Sequence, residues 1–405
     1  MGDILFLSHR IPFPPDRGDK IRSHHLLRHL AKEHRVHVAT FGESAADMAA
    51  ESELAAVAAS HCLIKRSKPL PLAGVEAVLS GKPVSLTAFD HARLHGFLRD
   101  TLARHAIDAI FVFSGQMGQY VPADYRGRVV IDLCDVDSAK FEAYGEKGGA
   151  RAFIDRREGV LLAREEERLA HRADTTILIS DNEAALLASR MERPDRARIT
   201  ALRNGIDTVT FDPAKVAVQP ELEKTAGPNL VFTGQMDYAP NIDAALRMID
   251  GLMPRIREAL PDAVFHCVGR APVAALTARD GEPGIRIWGE VPDVKPFLKS
   301  ADMVIAPLTI ARGIQNKVLE AMAMARPVIL SPEAATGIDA VDGEHFVIAP
   351  DDDTIVEAVM GLQANSAEAE RLGAEARKFV IQEQGWDAML APLSDIVGGA
   401  MRDAA

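Results

Sequence analysis

Residues Thr309–Leu330 read TIARGIQNKVLEAMAMARPVIL. The apolar run before them, Met303-Val304-Ile305-Ala306-Pro307, reads as a buried strand. A glycine-containing turn follows, then a helical segment, then Arg326-Pro327 and a second apolar run at Val328-Ile329-Leu330. On a helix, Asn316, Lys317 and Glu320 share an arc of about 100°, with Val318, Met322 and Ala325 on the opposite side. Parallel α/β sheets place ligands at such strand-loop-helix units with polar side chains at the helix start. Backbone N–H groups there meet phosphate, a lysine adds charge, and a carboxylate holds hydroxyls. An ordinary helix with a solvated polar face has the same spacing, so spacing leaves both readings open.

The pattern extends outward in both directions. Upstream, Leu230-Val231-Phe232 runs into Gly234, Pro240-Asn241 reads as an N-cap signal, and a helix is expected over 242–260. Further strands are expected at 264–268, 285–288, 303–306, 328–330 and 346–348, with helices between. The first half repeats the scheme with apolar runs at 4–7, 36–41, 62–64, 110–113, 129–131, 176–180 and 199–202. Helices are expected from Lys20 to about His34 and over 44–59, 90–105, 151–172 and 181–190. Positions 66–88, with Pro69, Pro71, Gly74, Gly81 and Pro83, read as an irregular insert around one short helix. Pro213, Pro220 and Gly227-Pro228 mark a linker over 208–228. Strand and helix alternation of this kind specifies parallel sheets covered on both faces. The expected architecture is therefore two doubly wound Rossmann-like domains facing across a cleft, 1–205 and 206–385.

Bulk properties narrow the function classes. With 405 residues, 47% hydrophobic and 26% charged, the chain is long enough for two cores and ordinary for a globular protein. A net charge of −12 argues against nucleic acid as a partner. Residues 1–205 hold 29 basic against 28 acidic residues, while 206–405 hold 17 against 30, which sets the halves apart. Cys62, Cys134 and Cys267 lie far apart, fit no metal spacing and suit a reducing cytoplasm. No apolar run approaches 18 residues, so neither a spanning helix nor a signal peptide is expected.

Several first-half residues carry candidate chemistry. Gly18 opens the first helix and offers backbone N–H groups to an anion, with Arg17 and Lys20 adding charge; a solvated Pro-rich turn is the alternative. Asp132, Asp135 and Asp137 gather at the end of the 129–131 strand, with Ser138 as a candidate N-cap. Three clustered carboxylates invite a metal reading, but their spacing lacks the glycine and distal glutamate of a calcium loop, which favours capping, acceptor binding or catalysis over metal. His25, Arg28, His29, Lys32 and Arg35 form a basic stripe on the first helix, read either as plain surface or as a weak contact with an anionic membrane.

The stretch 309–330, together with TGQMDYAPN, Gly289-Glu290-Val291, PPDRGDKIRSHHLLRHL and DLCDVDS, resembles the retaining glycosyltransferases of family 4. Within that family it is most similar to the sugar transferases associated with bacterial PEP-CTERM/exosortase exopolysaccharide clusters. The resemblance covers nearly the whole chain and implies a GT-B fold, with a helical segment at 386–405 crossing back to the first domain. Glu320 matches the second of the family's two glutamates, which binds the nucleotide ribose, and the first, eight positions earlier, falls at Arg312. Gly18 matches the first glycine of a loop that meets donor phosphate, with Asp19 in place of the second. The family's Arg and Lys for the diphosphate fall at Gln235 and Asn241, and its histidine near Phe113-Ser114 has no counterpart. The compensating cation is expected to be Lys317, then Arg312, then Arg203.

The resemblance thus implies a metal-independent retaining transfer from a nucleotide-sugar donor, which is a substrate, so that no cofactor is expected. Gly18, Gly234, Arg312, Gly313, Asn316, Lys317 and Glu320 are the expected donor contacts. Lys317 is the expected leaving-group cation, and Asp135 or Asp137 the base if a protein base is used. The expected acceptor is lipid-linked or an oligosaccharide, and the expected location the cytoplasm, with possible peripheral contact at the inner membrane. A nucleotide-sugar 2-epimerase and a non-catalytic nucleotide-sugar-binding subunit are the competing readings.

Overall fold

The computed structural model describes residues 2–146, 152–311 and 313–399. Residues up to Asn204, joined by those from Met389 on, form one compact unit, and Gly205–Ala388 form another.

The first unit is built on β1 (Asp3–Ser8), β2 (Arg35–Gly42), β3 (Ser60–Lys65), β4 (Ile107–Phe113), β5 (Arg128–Cys134), β6 (Thr175–Leu178) and β7 (Ile199–Ala201). They form a parallel sheet in the order β3-β2-β1-β4-β5-β6-β7. Helices cover both faces, so the inner strands read as unbroken apolar runs rather than alternating ones. Ile4, Leu5, Phe6 and Leu7 are all within 1% of complete burial, and Phe6 stacks on Phe111 with ring centres 5.4 Å apart.

The second unit repeats this with β8 (Asn229–Thr233), β9 (Val264–Val268), β10 (Ile285–Gly289), β11 (Met303–Ala306), β12 (Val328–Leu330) and β13 (Val347–Ile348), ordered β10-β9-β8-β11-β12-β13. Each sheet reverses its direction of winding beside its first strand, between β1 and β4 and between β8 and β11. Ligands of open α/β sheets bind outside the carboxyl ends of the strands at such reversals.

All thirteen expected strands fall on observed ones, while several helices differ. The expected 44–59 helix is two pieces, Ala45–Ala49 and Glu51–Val57, with Ser44 and Asp47 closing a capping box on the first. The insert holds two helices, Leu70–Ser80 and Val84–Thr87, instead of one. The 242–260 helix starts earlier, at Ala239, and widens into a π-turn over Met248–Leu252 just before Pro254. Proline lacks the N–H that a regular turn needs, and a wider turn accommodates it. Tyr238, not Asn241, is the N-cap there, because Pro240 sits in the first turn where its missing N–H costs nothing. Ser138 is likewise no N-cap. It lies inside helix Asp137–Glu146, and its hydroxyl donates to the buried Glu166 (2.6 Å). Arg35 belongs to β2 and pairs with Asp3, so it leaves the expected helical stripe. The segment from 386 forms helices Trp386–Leu390 and Leu393–Gly398, and Arg128 of β5 donates to the Ile396 carbonyl (2.9 Å). Positions 400–405 of the expected terminal segment, and Arg151 of the expected 151–172 helix, lie outside the described residues.

Candidate functional site

In the second unit three neighbouring strands end in glycine: Gly234 after β8, Gly269 after β9 and Gly289 closing β10. The Gly234 amide donates to the Val268 carbonyl (3.1 Å) and the Gly269 amide to that of Gly289 (2.9 Å). A Cβ at Gly269 would stand 1.6 Å from the Gly234 oxygen, so only glycine permits this approach. Past β11 the chain turns through Gly313, in the left-handed region at φ +70°, and enters helix Asn316–Ala323 capped by Gln315. These strand ends and this helix start enclose an open cavity of about 470 Å³, lined by Gly234, Gln235, Asn241, Arg270, Asn316, Lys317 and Glu320 among others.

Two of these side chains have strongly shifted proton affinity. The Lys317 Nζ sits 4.4 Å from the centre of the Phe232 ring and donates to Asn241 Oδ1. Burial lowers its pKa to about 8, against the attraction of Glu320 and Cys267. Burial raises the Glu320 carboxyl to about 7, opposed by Lys317 and Lys295. An ammonium and a carboxylate near their titration points, in a concave site at a winding reversal, mark a ligand site more sharply than either would alone.

The cation lands where the sequence lacks one. Asn241 cannot carry charge, but it anchors Lys317, whose Nζ stands 3.0 Å from where a Cβ on Gly234 would be. A second cation, Arg270, donates through Nη2 to Gln235 Oε1 (2.9 Å) in the same cavity. Sequence reading missed Arg270; the signal was its place directly after the glycine that ends β9. Ala271, next to it, is held at φ +54°, and such strain in a non-glycine residue concentrates at functional sites. Of the expected donor contacts, Gly234, Asn316, Lys317 and Glu320 come together here, Gly313 lies in the loop before the helix, and Arg312 lies outside the described residues.

The remaining candidates belong to the first unit. Gly18 is the first residue of helix Gly18–Glu33, with open space around its Cα. The charges expected to attract an anion there are already committed. Lys20 is buried against Asp47 (3.0 Å) and Asp16 (3.0 Å), and Arg17 pairs with Asp19 (2.9 Å). Asp135 and Asp137 share one partner, Lys140, at 2.8 and 3.2 Å. Asp132 does not join them: it is fully buried and bonds Arg22 Nε (2.8 Å), whose Nη1 donates to Asn204 (2.7 Å). Arg203 pairs with Asp181 (2.9 Å). At the carboxyl end of β1, His9 stacks on Phe113 (5.9 Å) and its Nε2 lies 3.2 Å from Asp19 Oδ2. Burial lowers the His9 pKa although Asp19 opposes it, and its buried Nδ1 has no hydrogen-bond partner among the described residues. A histidine thus lies against Phe113 after all, delivered by β1 instead of β4. Ser114 (φ +77°) and Cys134 (φ +66°) end β4 and β5 in the strained left-handed region. Asp3, His37 and His105 place potential metal-ligand atoms within 4.8 Å of one another at the amino ends of the strands. Arg35 fills that group, donating to Asp3 (3.0 Å) and contacting His105 Nδ1 (3.3 Å).

Comparison with known proteins bears on the second unit above all. Residues 227–365 match the family described as Glycosyl transferases group 1. No curated protein matches the chain. Among solved structures, sucrose-phosphate synthase from Thermosynechococcus elongatus superposes with a TM-score of 0.58 at 15% identity, over 98% of each chain. HepE of Anabaena in complex with UDP-glucose gives 0.57 at 14% identity, over 98% of this chain and all of that one. An Escherichia coli trehalose-6-phosphate protein bound with UDP-2-fluoro glucose gives 0.58 at 14%, over 99% and 100%. Identities this low establish a shared fold and nothing finer. The glycosyltransferase group 1 signature is therefore carried by the second unit, on a chain whose two parallel α/β units have the GT-B fold.

Proposed function

We propose that this chain is a retaining, metal-independent glycosyltransferase that moves a sugar from a nucleotide-sugar donor to a lipid-linked or oligosaccharide acceptor in bacterial exopolysaccharide synthesis at the cytoplasmic side of the membrane. One observation carries the reading: Lys317 and Glu320, one helical turn apart, both reach the cavity at the β8/β11 winding reversal inside the segment matching group 1 glycosyltransferases. The Glu320 carboxylate accepts hydrogen bonds from ribose hydroxyls. The Lys317 ammonium and the first N–H groups of its helix meet the diphosphate. As the anomeric C–O bond breaks, its electron pair goes to the phosphate oxygen, and Lys317 opposes the charge that grows there. The acceptor oxygen forms the new bond on the same face and gives its proton to the departing phosphate. Asp135 and Asp137, which share Lys140, are weaker candidates for that proton.

Calorimetric titration with UDP, GDP and ADP and their sugars tests the site, with Glu320→Gln as the comparison. The reading requires one nucleoside diphosphate to bind and the variant to bind it more weakly. Slow hydrolysis of the matching donor without acceptor supports transfer, and nucleotide binding with no hydrolysis or transfer supports the binding-subunit reading. A C2-inverted sugar nucleotide as product would instead identify an epimerase.

A further inference from the structure

Helix Leu70–Ser80, in the insert between β3 and β4, turns an aliphatic face to the outside. Leu70, Leu72, Val75, Val78 and Leu79 are 51–82% exposed, while Ala73 and Ala77 on the other side are buried. Its one acid, Glu76, is paired with Lys68 (2.8 Å). Arg157 clamps the helix from below, donating to the Ala77 carbonyl (2.9 Å). One turn before Arg157, on the same neighbouring helix, Phe153 is 79% exposed. Cations flank the helix: Lys65 closes β3 before it, Lys82 follows it, and Arg156 precedes Arg157 on the neighbouring helix, while Arg66 is committed to Glu43 (2.7 Å) and Lys68 to Glu76. Lys65, Lys82 and Arg156 are exposed.

We propose that this helix is a membrane-docking element lying in the surface of an anionic bilayer. Its outer face offers almost no hydrogen-bonding side chain: the Ser80 hydroxyl is used on the Glu76 carbonyl (2.7 Å). A protein partner would need directional polar contacts around such a face, whereas acyl chains need only apolar area and anionic head groups need only the flanking lysines and arginine. The first helix, by contrast, exposes Arg28 and Lys32 but buries its leucines Leu26, Leu27 and Leu30, so it has charge without an exposed apolar anchor. The chain just after this helix reaches the carboxyl end of the first sheet. Phe89 packs edge-on against His9 (5.8 Å) and Phe41 (5.5 Å), and Gln119 donates to the Leu86 carbonyl (2.8 Å). Thr87, in that segment, donates its hydroxyl to the Ala73 carbonyl of the helix (2.8 Å), so the docked helix is tied directly to the segment that packs on the carboxyl end of the first sheet. Docking does not depend on the transferase reading; delivery of a lipid-borne acceptor to those strand ends rests on it.

Vesicle co-sedimentation of the full chain decides the matter, using phosphatidylcholine with and without phosphatidylglycerol at low and high salt. The chain should sediment with the anionic vesicles, less so at high salt. The double substitution Val75→Glu and Leu79→Glu should cut partitioning roughly tenfold or more, because it removes apolar contact and adds repelled charge. Arg28→Ser with Lys32→Ser should change it by less than about twofold. Circular dichroism and UDP titration of each variant separate docking from folding and from the nucleotide site. If vesicles bind and no nucleotide does, docking stands and the transferase reading falls. Absence of binding to either vesicle, or binding unchanged by Val75→Glu with Leu79→Glu, overturns the proposal. A wild-type dimer that becomes monomeric in the double variant also overturns it, making the face a contact between copies.

Discussion

The two winding reversals occupy equivalent places in sheets of the same topology, yet their charges behave oppositely. At the β1/β4 reversal nearly every charge is cancelled inside the protein: Arg10 bridges Asp19 (2.5 Å) and Glu43 (2.8 Å), Arg66 holds Glu43 (2.7 Å), and Arg22 holds Asp132 (2.8 Å). At the β8/β11 reversal Lys317 and Glu320 share one cavity, and burial pushes both towards neutrality. Closed pairs hold a shape, because breaking one strands a buried charge. Shifted, incompletely compensated groups await a ligand that supplies the missing partner. Topology alone puts a crevice in both units; pairing decides which crevice is chemically open.

The largest expected effect lies on the closed side. Arg22→Ala leaves Asp132 buried without its cation and should cost roughly 3–5 kcal/mol of stability in urea unfolding of the full chain. A loss below about 1 kcal/mol would mean the pair is not structural and would dissolve the contrast. On the open side, Lys317→Ala should lower turnover on the order of a hundredfold with a smaller loss in nucleoside diphosphate affinity, since its charge is needed most as the phosphate departs. If turnover stays normal, Arg270 is the cation to test. Glu320→Gln should weaken nucleotide binding by about 1.5–3 kcal/mol in calorimetry, the range for hydrogen bonds to a charged group, with stability little changed. Unchanged affinity would leave the carboxylate without the ribose role.

The smallest expected effect is the pH profile. Lys317, lowered to about 8 by burial, carries its charge below that pH, so diphosphate binding should fade as pH rises through 8. Glu320, raised to about 7 by burial, is ionised above that pH, so ribose binding should fade as pH falls through 7. Affinity should then peak in the narrow window between, flattening on the acid side in Glu320→Gln and on the alkaline side in Lys317→Ala. A profile with the same limbs in both variants would assign the titration to other groups.

What the sequence determined by itself was the order and kind of the elements. Buried parallel strands are short apolar runs, and runs such as Ile4-Leu5-Phe6-Leu7 or Val328-Ile329-Leu330 have few other uses at that spacing. Local chemistry also put Asn316, Lys317 and Glu320 on one side of one helix, because a 3.6-residue period needs no distant information. Pairing was decided only by tertiary structure. Arg22 meets Asp132 across 110 residues, Lys317 meets Asn241 across 76, and Arg270 meets Gln235 across 35. Nothing local marks those partners, so Lys20 and Arg17 read as free cations and Asp132, Asp135 and Asp137 as one cluster. The fold commits Lys20 to Asp47 and Arg17 to Asp19, and it splits Asp132, held by Arg22, from Asp135 and Asp137, which share Lys140. Local sequence sets which groups a helix or strand end presents; whether a charge is cancelled or left open depends on what the chain brings beside it.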